Sequence, residues 1–154
     1  MNEIERKFLV KNKLWEPINE GFFIQQGFLN TAKERVVRIR LKGDKAFLTV
    51  KGKIEGITRK EFEYEIPYKE GKQLLDLCEF SLIEKTRYHF HYKEMLWEVD
   101  EFYGDNKGLI IAEIELENEA QVFEKPDWLG EEVTQDFRYY NNNLTKFPYT
   151  KWNK

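Results

Sequence analysis

The sequence predicts a mainly β domain of α+β type: a closed, eight-stranded antiparallel barrel with a charged lumen and a few helices outside. Three observations predict its body of antiparallel strands, sheet or barrel. Charged and apolar side chains alternate with a period of two in short segments along most of the chain, the pattern of antiparallel strands with two unlike faces. Turn signals such as Lys42-Gly43-Asp44-Lys45 and Gly104-Asp105-Asn106 separate the segments. The charges are also sorted by sign from strand to strand, unlike the mixed signs of an ordinary solvated sheet.

Taken in order, Glu3, Glu5 and Lys7 alternate with Ile4, Arg6 and Phe8 in the first strand, and a second strand spans Phe23 to Leu29. In the third, Arg38 and Arg40 alternate with Val37, Ile39 and Leu41, and in the fourth Thr49 and Lys51 oppose Leu48 and Val50. Arg59, Glu61, Glu63 and Glu65 alternate with Phe62, Tyr64 and Ile66 in the fifth. The sixth sets Lys85, Arg87, His89 and His91 against Thr86, Tyr88, Phe90 and Tyr92. Glu98 and Asp100 oppose Trp97 and Val99 in the seventh, and in the eighth Glu113, Glu115 and Glu117 alternate with Ala112, Ile114 and Leu116. Apolar residues at helical spacing predict a helix over Tyr68 to Phe80, with a short turn at Leu14 to Asn19 and a terminal helix over Glu131 to Leu144. Pro67 and Pro126 fit the edges of elements.

At 154 residues the chain has the length of one domain, spanning 1–154, able to bury a core without crosslinks. Its 41% hydrophobic and 16% aromatic content excludes disorder. Twenty-five basic against 28 acidic residues leave a net charge of −3, so no general attraction to nucleic acid or acidic membrane is expected. Any polyanion site must be local. A single cysteine, Cys78, gives no disulfide framework, and the opening MNEIERKFLV lacks the basic and apolar regions of a signal peptide. A cytoplasmic protein is the expectation.

The charged faces carry ten carboxylates (Glu3, Glu5, Glu61, Glu63, Glu65, Glu98, Asp100, Glu113, Glu115, Glu117) and seven bases (Lys7, Arg38, Arg40, Lys51, Arg59, Lys85, Arg87). Carboxylates concentrate on the first, fifth, seventh and eighth strands, bases on the third, fourth and sixth. Like charges two residues apart on one face lie roughly 6 to 7 Å from each other. A divalent cation offsets that repulsion among carboxylates, and a phosphate chain among arginines. Periodicity alone leaves two readings open: these faces are the wet side of an ordinary sheet, or they line a lumen. Closure removes two sheet edges that would otherwise need protection, and Arg and Glu are the usual ligands of phosphate and magnesium. Both favour the lumen.

The opening Glu3-Ile4-Glu5-Arg6-Lys7 resembles the Glu-x-Glu-x-Lys signature of the CYTH, or triphosphate tunnel metalloenzyme, family. The segments Arg38 to Gly52, Glu61 to Pro67, Ile83 to Phe90, Trp97 to Phe102, Ala112 to Glu117 and Asp136 to Tyr139 resemble, in order, those of its small bacterial inorganic triphosphatases. The resemblance covers nearly the whole chain. It implies a tunnel whose bases bind triphosphate and whose carboxylates hold Mg2+ or Mn2+. Glu3 and Glu5 match the opening acidic pair, Lys7 its lysine, Arg38 and Arg40 the arginine pair, and Lys51 the lysine after the fourth strand. Lys85 and Arg87 match the sixth-strand bases, Asp100 the seventh-strand acid, and Glu113, Glu115 and Glu117 the closing acidic cluster. The metal set is therefore Glu3, Glu5, Asp100, Glu113 and Glu115, with Glu61, Glu63, Glu98 and Glu117 as further acids. Lys7, Arg38, Arg40, Lys85 and Arg87 are the catalytic bases, and Lys51 and Arg59 join them on the substrate. One departure is Phe28, where similar proteins often carry Tyr.

The activity expected is divalent-metal-dependent hydrolysis of the terminal phosphate of inorganic tripolyphosphate, with nucleoside triphosphates as further substrates, by metal-activated water. A class IV-type adenylate cyclase, a thiamine triphosphatase and a non-enzymatic polyphosphate-binding module are the alternatives, because one lumen serves all of them. The oligomeric state stays open, a homodimer included. His89 and His91 lack the further ligands of a zinc site, Cys78 and the four tryptophans read as packing residues, and no Gly-x-x-x-x-Gly-Lys-Ser/Thr loop occurs.

Overall fold

The computed structural model describes residues 1–12 and 20–152; the turn expected over Leu14 to Asn19, and Trp15 with it, lies outside them. Eight strands close into an antiparallel barrel: β1 (Asn2–Val10), β2 (Phe22–Asn30), β3 (Arg35–Lys42), β4 (Lys45–Gly52), β5 (Thr58–Ile66), β6 (Glu79–Tyr92), β7 (Met95–Phe102) and β8 (Ile110–Glu115). Around the barrel the order is β5-β4-β3-β2-β6-β7-β8-β1, and β1 returns to β5. Its first residues pair with β5, as in Glu3 opposite Arg59, and its remainder pairs with β8 from Glu5 opposite Glu115 to Leu9 opposite Ile111. Closure thus depends on one strand dividing its length between two neighbours.

The predicted alternation holds, with the charged parity inside. The outward apolar parity is covered in two places. Phe8, Trp97, Val99 and Ile114 pack beneath Trp128 and Phe123 of the segment after β8, while Ile39, Leu41 and Ala46 pack beneath Leu75 of α1 (Tyr68–Leu75). A Cβ on Gly27 of β2 would stand 2.6 Å from Leu82 and 2.8 Å from the Cys78 sulfur, so glycine is what lets the turn after α1 lie flat on the barrel. Burial raises the Cys78 thiol to about 11, as befits a packing residue.

Three expectations change. The helix expected to reach Phe80 stops at Leu75, because Glu79 already pairs with Phe28 in the β2–β6 ladder. Lys51 lies within β4, opposite Val36, not after the strand. In place of a terminal helix from Glu131, the chain makes β9 (Leu129–Glu132) along the far half of β1, then a 3-10 turn at Phe137–Tyr139 and a single-turn α2 (Asn141–Leu144). The β1 edge left free where β5 ends offers backbone partners: Lys11 N donates to Trp128 O, and Val133 N to Lys7 O. Backbone pairing there outcompetes a helix written in β-branched and aromatic residues.

That terminal segment sets the shape of the lumen. Ile83, Phe102 and Ile111 share the inward parity of Lys85, Asp100 and Glu113 and form a hydrophobic floor under Val133, Tyr139 and Leu144. The charged interior therefore rests on a packed base.

Candidate active site: the charged lumen

Inside the barrel lies a cavity of about 280 Å³, roughly nine times the volume one water occupies in the liquid. It suits a small ionic ligand. Lining it are Glu3, Glu5, Lys7, Arg38, Arg40, Lys51, Arg59, Glu61, Glu63, Lys85, Arg87, Glu98, Glu113 and Glu115. The structure brings together every predicted site residue except Asp100 and Glu117.

Asp100 sits behind the lining with 1% of its surface exposed, accepting from Lys85 Nζ, Arg87 Nε and Arg87 Nη2, each at 2.8 Å. Burial opposes its charge, but Arg87 and Lys85 outweigh burial and hold the carboxyl at about 2. Both of its oxygens are engaged by bases, so in this structure Asp100 stands as their counter-charge. Glu117 is exposed beyond the end of β8, because the strand leaves the barrel after Glu115. The register no longer aims it inward.

Two banks of side chains face each other across the lumen. On β1 and β8, Lys7 bonds Glu5 at 3.2 Å and Glu113 more closely, and Arg87 Nη2 reaches Glu113 at 3.2 Å. Burial disfavours the Lys7 charge, yet Glu113 and Glu5 keep its pKa raised. Glu3 accepts from Lys51 at 3.1 Å with Arg59 at 3.6 Å, Glu61 pairs Lys51 at 3.2 Å, and Glu98 pairs Arg87 at 3.2 Å. Glu115 is the exception. Among the described residues it has no basic partner, and burial followed by Glu3, Glu5, Glu61 and Glu98 raises its pKa.

The opposite bank is short of negative charge. Arg38 meets Glu63 at 3.2 Å and Thr49 at 3.1 Å, but its buried Nε has no partner among the described residues. Arg40 donates from Nε to Gln26 at 2.7 Å and, among the described residues, has no carboxylate within ion-pair distance. Burial first, then Arg38 and Arg87, drive the Arg40 pKa well down. Lys85 shows the same deficit: burial, with Arg87 and Arg40 nearby, lowers it to about 7 although Asp100 pulls the other way. Lys85 and Asp100 are thus unequal partners, since the carboxylate answers two bases and each base receives only part of it. A bank of cations that disfavours its own charge is organised to receive an anion.

The acids supply hard oxygen donors of the kind Mg2+ and Mn2+ take. Among the described residues no three carboxylates are gathered closely enough to grip an ion unaided. Crowding around Glu115 nevertheless marks where cationic charge is wanted. Magnesium is commonly held by one or two carboxylates together with water and substrate phosphates, so this donor set fits an ion whose shell the phosphate completes.

Sequence reasoning missed the neutral lining. Thr134, Tyr140 and Asn141 carry no charge to reveal them, and neither does the fully buried Gln26, which faces Arg40 across the β2–β3 ladder and shares the inward parity of β2. That parity, Ile24, Gln26 and Phe28, was the available signal. Phe28 is 3% exposed and lines the cavity with no hydroxyl to offer.

Two relatives are similar over nearly their whole length. The inorganic triphosphatase of Acetivibrio thermocellus is 51% identical over 148 residues, covering 96% of this chain and 95% of that protein. The inorganic triphosphatase of Nitrosomonas europaea is 38% identical over 150 residues, covering 94% and 97%. Among solved structures, the crystal structure of an inorganic triphosphatase aligns with TM-score 0.66 at 35% identity, over 93% of this chain and 97% of that one. A Hippeastrum protein with a dominant triphosphatase activity aligns with TM-score 0.59 over 75% of this chain and 80% of that one, and at 14% identity it bears on the fold alone. The CYTH domain matches residues 1–148, and with the barrel, its charged lumen and these relatives in agreement, the chain belongs to the CYTH domain family.

Proposed function

We propose that the protein hydrolyses the terminal phosphoanhydride bond of inorganic tripolyphosphate in its lumen, with Mg2+ or Mn2+ and with water as nucleophile. The observation that carries this reading is the bank of Arg38, Arg40 and Lys85, whose positive charge is under-compensated beside a small cavity within the barrel. Tripolyphosphate carries four to five negative charges that water solvates strongly. Only dense cations already held in place compete with that solvation. The two inorganic triphosphatases similar across the chain support the same substrate class.

Arg38, Arg40, Lys85 and Arg87 bind the phosphate chain, assisted by Lys7, Lys51 and Arg59, and hold its terminal phosphorus in line for attack. Guanidinium groups at the leaving diphosphate absorb charge as the bond breaks. Glu3, Glu5, Glu113 and Glu115 are the residues that would hold a divalent cation. When bound, such an ion neutralises phosphate oxygens and lowers the pKa of water. A carboxylate of the same bank takes the proton that water releases.

The test incubates purified protein with tripolyphosphate, ATP and thiamine triphosphate, with Mg2+ or Mn2+, and measures phosphate and cyclic AMP. Phosphate release fastest from tripolyphosphate is expected. Cyclic AMP as the main product would replace the hydrolase with a cyclase, and binding without turnover would replace it with a polyphosphate-binding module.

A further inference from the structure

We infer that Asn141, on the single-turn helix after the barrel, is a positioning residue that fixes the spacing of Arg40 and Lys85 across the lumen. This rests on the phosphate-binding reading of those two bases. The Asn141 Oδ1 accepts from Lys85 Nζ at 3.0 Å and from Gln26 Nε2 at 2.9 Å, and the Gln26 Oε1 accepts from Arg40 Nε at 2.7 Å. An unbroken chain thus runs from one base to the other through two neutral amides.

Its direction is forced. Arginine and lysine only donate, so Gln26 must turn its oxygen to Arg40 and its NH2 to Asn141. Asn141 must then present oxygen, which is the atom Lys85 needs. Neither amide can flip without setting donor against donor. Gln26 is fully buried and Lys85 is 1% exposed, so water offers no substitute partner at either.

Neutrality is part of the design. A carboxylate at position 26 or 141 would hold the same bases but add negative charge where a polyanion must bind. The amides orient the cations while leaving their charge for the ligand. The terminal segment, anchored by Leu144 on the hydrophobic floor, therefore supplies part of the site and does more than cover the barrel end.

The experiment is steady-state hydrolysis of tripolyphosphate with Mg2+ by wild type, Asn141→Leu, Asn141→Asp and Gln26→Leu, each with its melting temperature. Asn141→Leu removes both accepted bonds and should lower kcat by about 10- to 100-fold, the effect of losing hydrogen bonds to charged groups, with KM changed less than about threefold. Asn141→Asp keeps the acceptor and should restore kcat to within about threefold of wild type while raising KM about tenfold through its charge. Gln26→Leu, which cuts the chain to Arg40 only, should fall between wild type and Asn141→Leu in kcat. A kcat for Asn141→Leu within twofold of wild type, or equal loss of kcat in the Asp and Leu variants, overturns the inference. Absence of hydrolysis by the wild type would instead defeat the proposed function itself, so the two failures are separable.

Discussion

Replacing Asp100 with Asn tests whether the cationic side of the lumen is held by the one carboxylate behind it. In the wild type Asp100 accepts three charge-assisted bonds from Lys85 and Arg87, all at 2.8 Å. Asparagine keeps one acceptor and turns an NH2 toward donors. Removing one partner of a buried ion pair costs about 3–5 kcal/mol, and for a domain of this size each kcal/mol is about 2–4 °C, so the melting temperature should fall by about 6–20 °C at pH 7. A proton-linked part can be isolated. The Asp100 carboxyl lies at about 2 in the folded protein against an ordinary 3.8, a depression worth on the order of 2 kcal/mol. Because the folded pKa is depressed, this stability is complete above pH 3.8 and is lost as pH falls through about 2. Urea unfolding of both proteins between pH 5 and pH 2.5 should show their difference shrinking toward the acid end. A melting temperature for Asp100→Asn within 2 °C of wild type, or a difference independent of pH over that range, would refute the reasoning.

Arg40→Met should change stability by less than about 1 kcal/mol, because relief of a part-buried charge with no carboxylate partner among the described residues is offset by the Gln26 oxygen left without its donor, while raising KM for tripolyphosphate at least about tenfold; a thermal melt beside kinetics checks both. Glu115→Ala should abolish turnover, with a melting temperature in metal-free buffer no lower than wild type because four like charges lose a repelling neighbour; unimpaired hydrolysis would remove Glu115 from the metal set. In the β6–β7 hairpin, Lys93 and Glu94 have φ of +49° and +66°. Replacing the pair with Asn-Gly should raise the melting temperature by about 2–6 °C, and no rise by calorimetry would count against a type I′ turn there. Trp97→Phe should cost under about 2 kcal/mol in chemical denaturation because the buried indole N–H has no acceptor to lose among the described residues, whereas Trp97→Ala should cost about 3–5 kcal/mol.

Strand identity and the inward charged parity were legible in the sequence because a period of two separates the Glu3-Glu5-Lys7 face from the Ile4-Phe8 face without tertiary information. Sign sorting then pointed to a lumen. What the sequence could not convey arises from pairing partners distant along the chain. Asp100 and Glu113 look alike as alternating acids, and only register decides that Lys85 and Arg87 engage both oxygens of the first while the second lines the cavity. The helix expected over Glu131 to Leu144 failed for a related reason: the free edge of β1 offers Lys7 and Lys11 backbone atoms to a segment whose own propensity is weak. Asn141 was invisible because an amide announces neither charge nor burial. The Lys93-Glu94 turn carries no glycine or asparagine to signal it.

The order in which the chain is made meets an obstacle in the way β1 is shared. Strand β1 is made before its partners β5 and β8, which follow it by about 50 and about 100 residues, and before β9, which comes later still. Until then Glu3, Glu5 and Lys7 belong to an unpaired ribbon, and the hydrophobic floor waits for Leu144 near the finish. Closure is consequently a step of high contact order, expected to be slow relative to hairpin formation at β3–β4. A chain cut before Val133 would keep all eight strands of the barrel yet lose Val133, Tyr139 and Leu144 from the base beneath its cations.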